Sequence, residues 1–338
     1  MAVDMALRDA GSSVGIGFYG GEPLLCKSLI EKIVTYAKQT NKTGKKVFFK
    51  LTSNGLLLDD SFLAFSKKEN ILISLSMDGN RKAHDTNRKD GSGRGSYQSL
   101  LPIIQKILER NRYTTVMMTV SPNTISLFHD SVRSIYALGF MNIVCSMDLT
   151  ADWDEEHLAE LKSQYRRLAD LYYRKTIAEE KFFFSPFDSK INSHIRKNDC
   201  SAKRCKLGYE QISVAVDGAL YPCVQFADNR FYQVGDVRTG IDENRRLEIY
   251  EQSRKESPEC ALCAIRHRCS NSCSCMNMVS SGDITTPSPT LCSIERMLVP
   301  IADSIAAKLY KMRSGLFIHK HYNDLYPLVS LMEDGTKN

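Results

Sequence analysis

The 338-residue sequence has no run of 18 apolar residues, which excludes a helix that crosses a bilayer. Its start, MAVDMALRDAG, has neither the apolar core nor the cleavage site of a secretory leader, so the expected compartment is a reducing cytoplasm in which thiols stay free. There is one tryptophan, Trp153, and no internal repeat or low-complexity tract, which excludes repeat arrays and long disordered spans. Charge of one sign is in small excess. Forty-five basic against 39 acidic side chains leave a net +6, which a mildly basic, solvated surface accounts for, and no nucleic-acid or membrane partner is expected. With 43% hydrophobic residues the chain can bury the core of one large or two ordinary domains.

Cysteine is what the sequence has in quantity: eleven residues, seven of them in one ordered spacing. The order is Cys205-x12-Gly218-x4-Cys223, a gap, Cys260-x2-Cys263-x5-Cys269-x3-Cys273, a second gap and Cys292. Thiolates two residues apart can turn onto one metal centre, and iron–sulfur clusters are held by sets of four cysteine sulfurs. A zinc ribbon would use two such pairs, and only Cys260 and Cys263 form one. A disulfide framework would need an oxidising compartment. The spacing therefore favours metal binding, and iron–sulfur over zinc. Two clusters need eight ligands; Cys200 and Cys275 are the candidates for the eighth.

The first 150 residues alternate short β-branched or aromatic runs with longer amphipathic segments, which predicts strand–helix units and a parallel sheet. Expected strands are 16–19, 47–52, 71–76, 115–120 and 143–147, and an expected helix spans 97–110, with apolar residues at steps of three and four. Glycine-bearing or polar turns follow four of the strands: Gly20-Gly21-Glu22-Pro23, Ser53-Asn54-Gly55, Ser76-Met77-Asp78-Gly79 and Ser121-Pro122-Asn123. Recurring at the same end of successive parallel strands, they would converge on one pocket. In the first, paired glycines let a ligand approach the backbone, and the Glu22 carboxylate can accept from a cationic amine. Residues 151–198 read as a charged helical bridge, with Trp153 packing near its start. QISVAVDGALYPCVQF reads as a hairpin turning at Asp217-Gly218 that returns Cys223 toward Cys205, and Arg266-His267-Arg268 as a solvated loop. A last amphipathic helix runs from Glu295 to about Met312, with an uninformative tail.

The seven-cysteine order, with Gly218 five residues before Cys223, resembles the SPASM domain, the auxiliary-cluster module of radical S-adenosylmethionine enzymes that modify peptides and proteins. FYGGEPLL resembles the GGEP motif of the same enzymes, and SMDGNRKAHDTNRKDGSGRGSY the segment after their fourth strand. The resemblance implies an α/β fold, a partial (β/α)6-type parallel barrel over 1–150, then the bridge 151–198, a SPASM domain over 199–294 and a helix and tail over 295–338. It implies that Gly20, Gly21, Glu22 and Pro23 bind S-adenosylmethionine at its methionyl amine, with Ser76 toward the ribose and Arg88 toward the carboxylate. His84 and Asp85 would only position the loop. Cys205, Cys223 and Cys273 would hold one auxiliary [4Fe-4S] cluster, and Cys260, Cys263, Cys269 and Cys292 a second. For the first cluster's fourth ligand Cys200 is expected over Cys275, because side chains two apart share a face only in extended chain, so that one loop carrying both Cys273 and Cys275 would be strained.

The family's Cys-x3-Cys-x2-Cys loop, which holds the cluster that cleaves S-adenosylmethionine, has no counterpart: no cysteine precedes the GGEP turn, and Cys26 after it stands alone. With five strands counted against the family's six, the expectation is a barrel lacking its first strand and a chain inactive as it stands. The implied activity is maturation of a peptide or protein, with thioether crosslinking of a cysteine-rich peptide ahead of formylglycine formation in sulfatases, an electron donor as further partner, and a non-catalytic iron–sulfur peptide-binding module as the contrasting reading.

Overall fold

The computed structural model describes residues 1–8, 11–42, 44–196, 205–269 and 273–335. A short helix α1 (Ala2–Arg8) leads into six strands, β1 (Ser13–Phe18), β2 (Lys46–Ser53), β3 (Ile71–Ser76), β4 (Thr115–Val120), β5 (Asn142–Met147) and β6 (Phe183–Phe184). They form one sheet in sequence order, every neighbouring pair parallel. Between them run α2 (Lys27–Thr40), α3 (Asp60–Glu69), α4 (Arg81–Asn87), α5 (Tyr97–Arg110), α6 (Phe128–Ala137) and α7 (Glu155–Ile177). The helical periodicity has a direct result: Ile30 and Val34 of α2, Phe62 of α3, Ile104 of α5, Val132 of α6 and Leu168 of α7 all enter one core against Phe49, Leu75, Val116 and Ile143 of the strands. The opposite sheet face is open at its first strands, where Phe48 and Leu72 stay more than half exposed.

The sheet has six strands, one more than the sequence reading counts. The sixth is only two residues long and lies inside the expected helical bridge, between α7 and α8 (Ser185–Ile195), so no alternation announces it. Nor is that stretch a bridge, since Leu161, Tyr165, Phe184, Phe187 and Ile191 are fully buried in the main core.

The cysteine-rich part forms a second sheet of four short antiparallel strands, β7 (Ser213–Val214), β8 (Ala219–Tyr221), β9 (Gly235–Asp236) and β10 (Gly240–Ile241), in the order β10-β9-β8-β7. The β7–β8 hairpin turns at Asp217-Gly218 as expected. Gly218 has φ +94°, and a Cβ there would stand 2.9 Å from Val237. Helices α9 (Glu243–Ser253), α10 (Pro258–Ala261) and α11 (Ser274–Ser281) follow, and Leu207, Leu220, Phe226, Val234, Ile249 and Ile284 give this part its own core.

The long helix α12 (Pro289–Lys311) starts six residues earlier than the sequence reading placed it, with Ser288 as N-cap and Pro289 in the first turn, so Cys292 lies on it. It packs on α7 and α8 and so belongs to the main core. The tail continues as α13 (Gly315–Tyr322) and α14 (Tyr326–Gly335). Of Arg266-His267-Arg268, expected as a solvated loop, His267 is exposed but Arg268 is a fastening. Arg268 donates to both carboxylate oxygens of Asp303 on α12 (2.7 and 2.8 Å) and to the Lys190 carbonyl on α8 (3.0 Å). Among the described residues no helix is long and apolar enough to cross a membrane.

Candidate functional site

Parallel pairing brings the turns after β1 to β5 to one end of the sheet. At the first, Gly20 has φ +150°, and neither Gly20 nor Gly21 would place a Cβ within 4 Å of another group, so a ligand can approach this backbone. Glu22 caps the 3-10 turn 23–26 and ties it to the next strand end. Its Oε1 accepts from Leu24 N (3.0 Å) and Ser53 Oγ (2.8 Å), and its Oε2 from Asn54 N (2.8 Å). Three of the roughly four acceptor positions of the carboxylate are thus taken inside the protein.

After β3, Asp78 is 5% exposed and grips Arg88 through two parallel bonds, Nε to Oδ2 (2.6 Å) and Nη2 to Oδ1 (2.9 Å), while Thr119 N donates to Oδ1 (2.9 Å). Arg88 is therefore held by a carboxylate of its own chain, with its remaining N–H groups left for a ligand. Gly79 (φ +129°) packs so closely on α6 that a Cβ would fall 2.1 Å from the Ser131 Cβ. Gly79→Ala should cost about 1–3 kcal/mol, seen as a lower urea midpoint.

His84 is fully buried: Nδ1 accepts from Asp78 N (3.4 Å), and Nε2 meets Ser96 Oγ (2.9 Å). Asp85 Oδ1 accepts from Tyr97 N (2.9 Å), so both side chains hold this loop in shape. Burial pushes the His84 imidazole down from 6.5 to about 4. The unfolded chain takes up a proton near pH 6.5 that the native ring refuses until about 4. Stability is therefore full above 6.5 and falls as the pH drops toward 4. Between pH 7 and 5 this should remove about 2 kcal/mol, a loss that urea unfolding of His84→Gln would lack.

Asn87 bridges to the turn after β4, donating to Ser121 Oγ (2.8 Å) and accepting from Asn123 Nδ2 (3.1 Å). Trp153 pins the loop after β5 by donating from Nε1 to the Asp148 carbonyl (2.7 Å). Between these loops lies a cleft of about 470 Å³ lined by Asp78, Asn87, Arg88, Thr119, Asn123 and Asp148, among others. Ser76 is half-buried at the end of β3 and outside this lining, as is the Gly20–Pro23 turn. A second hollow of about 680 Å³ lies against α2, away from the strand-end turns, and is lined by Ser28, Glu31, Lys32, Thr35, Tyr36 and Gln39, among others.

Electrostatics link Cys205, Cys223, Cys273 and Cys275 to one another, and Cys260, Cys263 and Cys292 to one another. Cys223 and Cys273 are the N-caps of the 3-10 turn 224–226 and of α11. Cys275 Sγ lies 3.3 Å from Cys223 Sγ and 3.5 Å from Cys273 Sγ. The Cys275 thiol, then backbone N–H groups of the two turns, bring Cys223 down to about 7 and Cys273 to about 6, near the thiolate form that metals take. Burial raises Cys205, which also feels the charges of Cys273 and Cys223. In the second group, burial raises Cys292, and Cys260 and Cys263 act on it electrostatically. Cys269 follows the 3-10 turn 266–268. Among the described residues no three ligating side chains are arranged to hold a single metal ion. The strain expected of Cys273 and Cys275 in one place is absent, because the chain is extended at Cys273 and turns helical immediately after it. Cys200 lies outside the described residues.

No family model matches the chain. It is 24% identical over 263 residues, 74% of this chain and 68% of the relative, to a cysteine-type anaerobic sulfatase-maturating enzyme of Clostridium novyi (strain NT). In structure it superposes on native anSMEcpe with bound AdoMet at TM-score 0.79 and 19% identity, over 92% of this chain and 88% of that one; the same protein is also solved with a Cp18Cys peptide. This chain has the radical S-adenosylmethionine fold of those maturases. Streptococcus suis SuiB bound to its precursor peptide SuiA is a more distant match, at TM-score 0.54, 15% identity and 82% and 65% coverage. The relatives in sequence and structure are radical S-adenosylmethionine enzymes. Within that fold the Gly20–Pro23 turn, the Asp78–Arg88 pair and the cleft lie at the strands' carboxyl ends, where parallel α/β sheets bind ligands.

Proposed function

We propose that this chain is a radical S-adenosylmethionine maturase that oxidises a cysteine or serine side chain of a peptide or protein to formylglycine. The single observation that carries this reading is the superposition over 92% of the chain on a sulfatase maturase, closer than that on SuiB. It supports preferring formylglycine formation to the thioether crosslinking that the sequence alone favours. Hydrogen-atom abstraction by way of S-adenosylmethionine would need a reducing [4Fe-4S] cluster, for whose Cys-x3-Cys-x2-Cys loop the sequence has no counterpart, so the residues named below bind and orient but do not supply that step.

The chain's own residues bind and orient. The open Gly20–Gly21 backbone receives the methionyl amine, Glu22 holds that turn against the end of β2, and Arg88, aimed by Asp78, meets the carboxylate. Ser76 stands toward the ribose. The sulfur groups are a SPASM domain: Cys205, Cys223 and Cys273 belong to a first auxiliary [4Fe-4S] cluster, and Cys260, Cys263, Cys269 and Cys292 to a second, which pass electrons away from the substrate. Thiolate-forming cysteines at two helix starts fit such ligation.

Protein to which a Cys-x3-Cys-x2-Cys loop has been joined ahead of Met1, incubated with S-adenosylmethionine, a reductant and a short peptide containing cysteine or serine, should yield an aldehyde that a hydrazide traps. A product with its cysteine thiol blocked and no aldehyde would restore the thioether reading. Anaerobically reconstituted protein should carry about eight iron atoms and absorb broadly in the visible; stoichiometric zinc without iron would end the cluster assignment.

A further inference from the structure

We propose that Lys50, in the middle of β2, is the residue by which the open face of the sheet selects a peptide substrate that carries a carboxylate side chain. The inference rests on the peptide-substrate reading above and goes beyond it in naming the charge the substrate must bring. Lys46 and Lys50 are the only charged residues in the six parallel strands. Strands of a parallel sheet ordinarily run apolar on both faces, so a cation in mid-strand is unusual. Lysine often guards an edge strand against pairing with another chain, but β2 is paired with β1 on one side and β3 on the other, so Lys50 guards no edge.

Pleating decides where the side chain goes. Phe49 and Leu51 are buried in the core with the helices, so Phe48, Lys50 and Thr52 face the other way, onto the open side of the sheet. There the register sets Gly17 and Leu72 beside Lys50, and Gly15 beside Phe48. Phe48 is 55% and Leu72 57% exposed, Lys50 is exposed as well, and a Cβ on Gly15 or Gly17 would meet nothing within 4 Å. The result is an apolar strip with one cation in it. No acidic residue lies on any of the six strands, and among the described residues none forms a hydrogen bond or ion pair with Lys50.

The occupant follows from charge and depth. An ammonium group between Phe48 and Leu72 fits a ligand that presents a carboxylate next to apolar groups, as a glutamate or aspartate within a peptide does, and the two glycines leave the β1 backbone open to a peptide main chain. Lys50 lies three residues before Ser53, whose hydroxyl donates to Glu22 at 2.8 Å, so it stands about 10 Å below the strand ends where the cofactor is proposed to bind. An extended peptide covers that distance in about three residues. The acidic side chain of the substrate is therefore set about three residues from the cysteine or serine that reacts.

The test is equilibrium binding, followed by fluorescence anisotropy, and needs no turnover. The probes are fluorescein-labelled nonapeptides with a central serine, one glutamate moved through the other positions, and alanine or leucine elsewhere. Wild-type protein should bind most tightly with glutamate about three residues from the serine, and about three- to ten-fold more weakly when that glutamate is replaced by glutamine. Lys50→Arg should keep the preference, Lys50→Met should bind both peptides alike, and Lys50→Glu should prefer a peptide with lysine at that position. Each variant should keep the wild-type urea midpoint, since the side chain is exposed. Peptides that bind without regard to the glutamate, or a preference that survives in Lys50→Met, overturn the inference and leave the maturase reading standing. Failure of every peptide to bind removes the peptide-substrate reading and this inference with it.

Discussion

Glu22→Ala should weaken S-adenosylmethionine binding by about ten- to a hundred-fold, measured by anaerobic isothermal titration calorimetry on protein to which a Cys-x3-Cys-x2-Cys loop has been joined ahead of Met1. The side chain makes no free-standing gesture toward a ligand. It is the fastening between the first two strand ends, and its removal strips partners from Leu24 N, Asn54 N and Ser53 Oγ together. Hydrogen bonds to a charged group contribute about 1.5–3 kcal/mol, so an open turn forfeits one to two decades of affinity if only one such bond's worth of preorganisation is lost. Glu22→Gln should fall between the two, because one amide oxygen still accepts while the amide nitrogen faces a backbone N–H. An affinity unchanged in Glu22→Ala would mean that the quartet is a turn and nothing more.

The sequence reveals those features whose signal is local. Alternation and turn chemistry place β3 and β4 residue for residue and the other long strands to within three residues at either end, and periodicity gives α5 its full span. The hairpin at Asp217-Gly218 is legible because only glycine takes a positive φ at so little cost. What the sequence hides is long-range. No pattern announces that Glu22 meets Asn54, 32 residues on, or that Arg88 is gripped by Asp78.

The two-residue β6 is specified by its neighbours, since Phe184 is buried by the core around it and not by any periodicity of its own. The cysteines show the same division. Spacing isolates the seven, but the approach of the Cys275 sulfur to those of Cys223 and Cys273 depends on where a helix begins, which spacing does not announce.

Lys190→Met should destabilise the protein by about 3–5 kcal/mol, read as a lower urea midpoint. Lys190 on α8 and Glu295 on α12 form an ion pair at 2.6 Å with side chains only 3% and 7% exposed. Removing the cation takes the 2.6 Å partner from a carboxylate that is only 7% exposed, which is worse than removing both charges. The double variant Lys190→Met, Glu295→Leu should accordingly recover most of the loss, since a buried pair replaced by apolar side chains of similar volume is often close to neutral. A single variant as stable as wild type, or a double variant no better than the single, would show that water reaches the pair. The same experiment bears on the metal chemistry. Helix α12 carries Cys292 three residues before Glu295, and Arg268, next to Cys269, is anchored to Asp303 of that helix and to the Lys190 carbonyl. Loosening α8 from α12 therefore disturbs Cys269 and Cys292 from both sides, so if these hold the proposed second cluster, Lys190→Met should lose its iron at denaturant concentrations that leave the proposed first cluster intact.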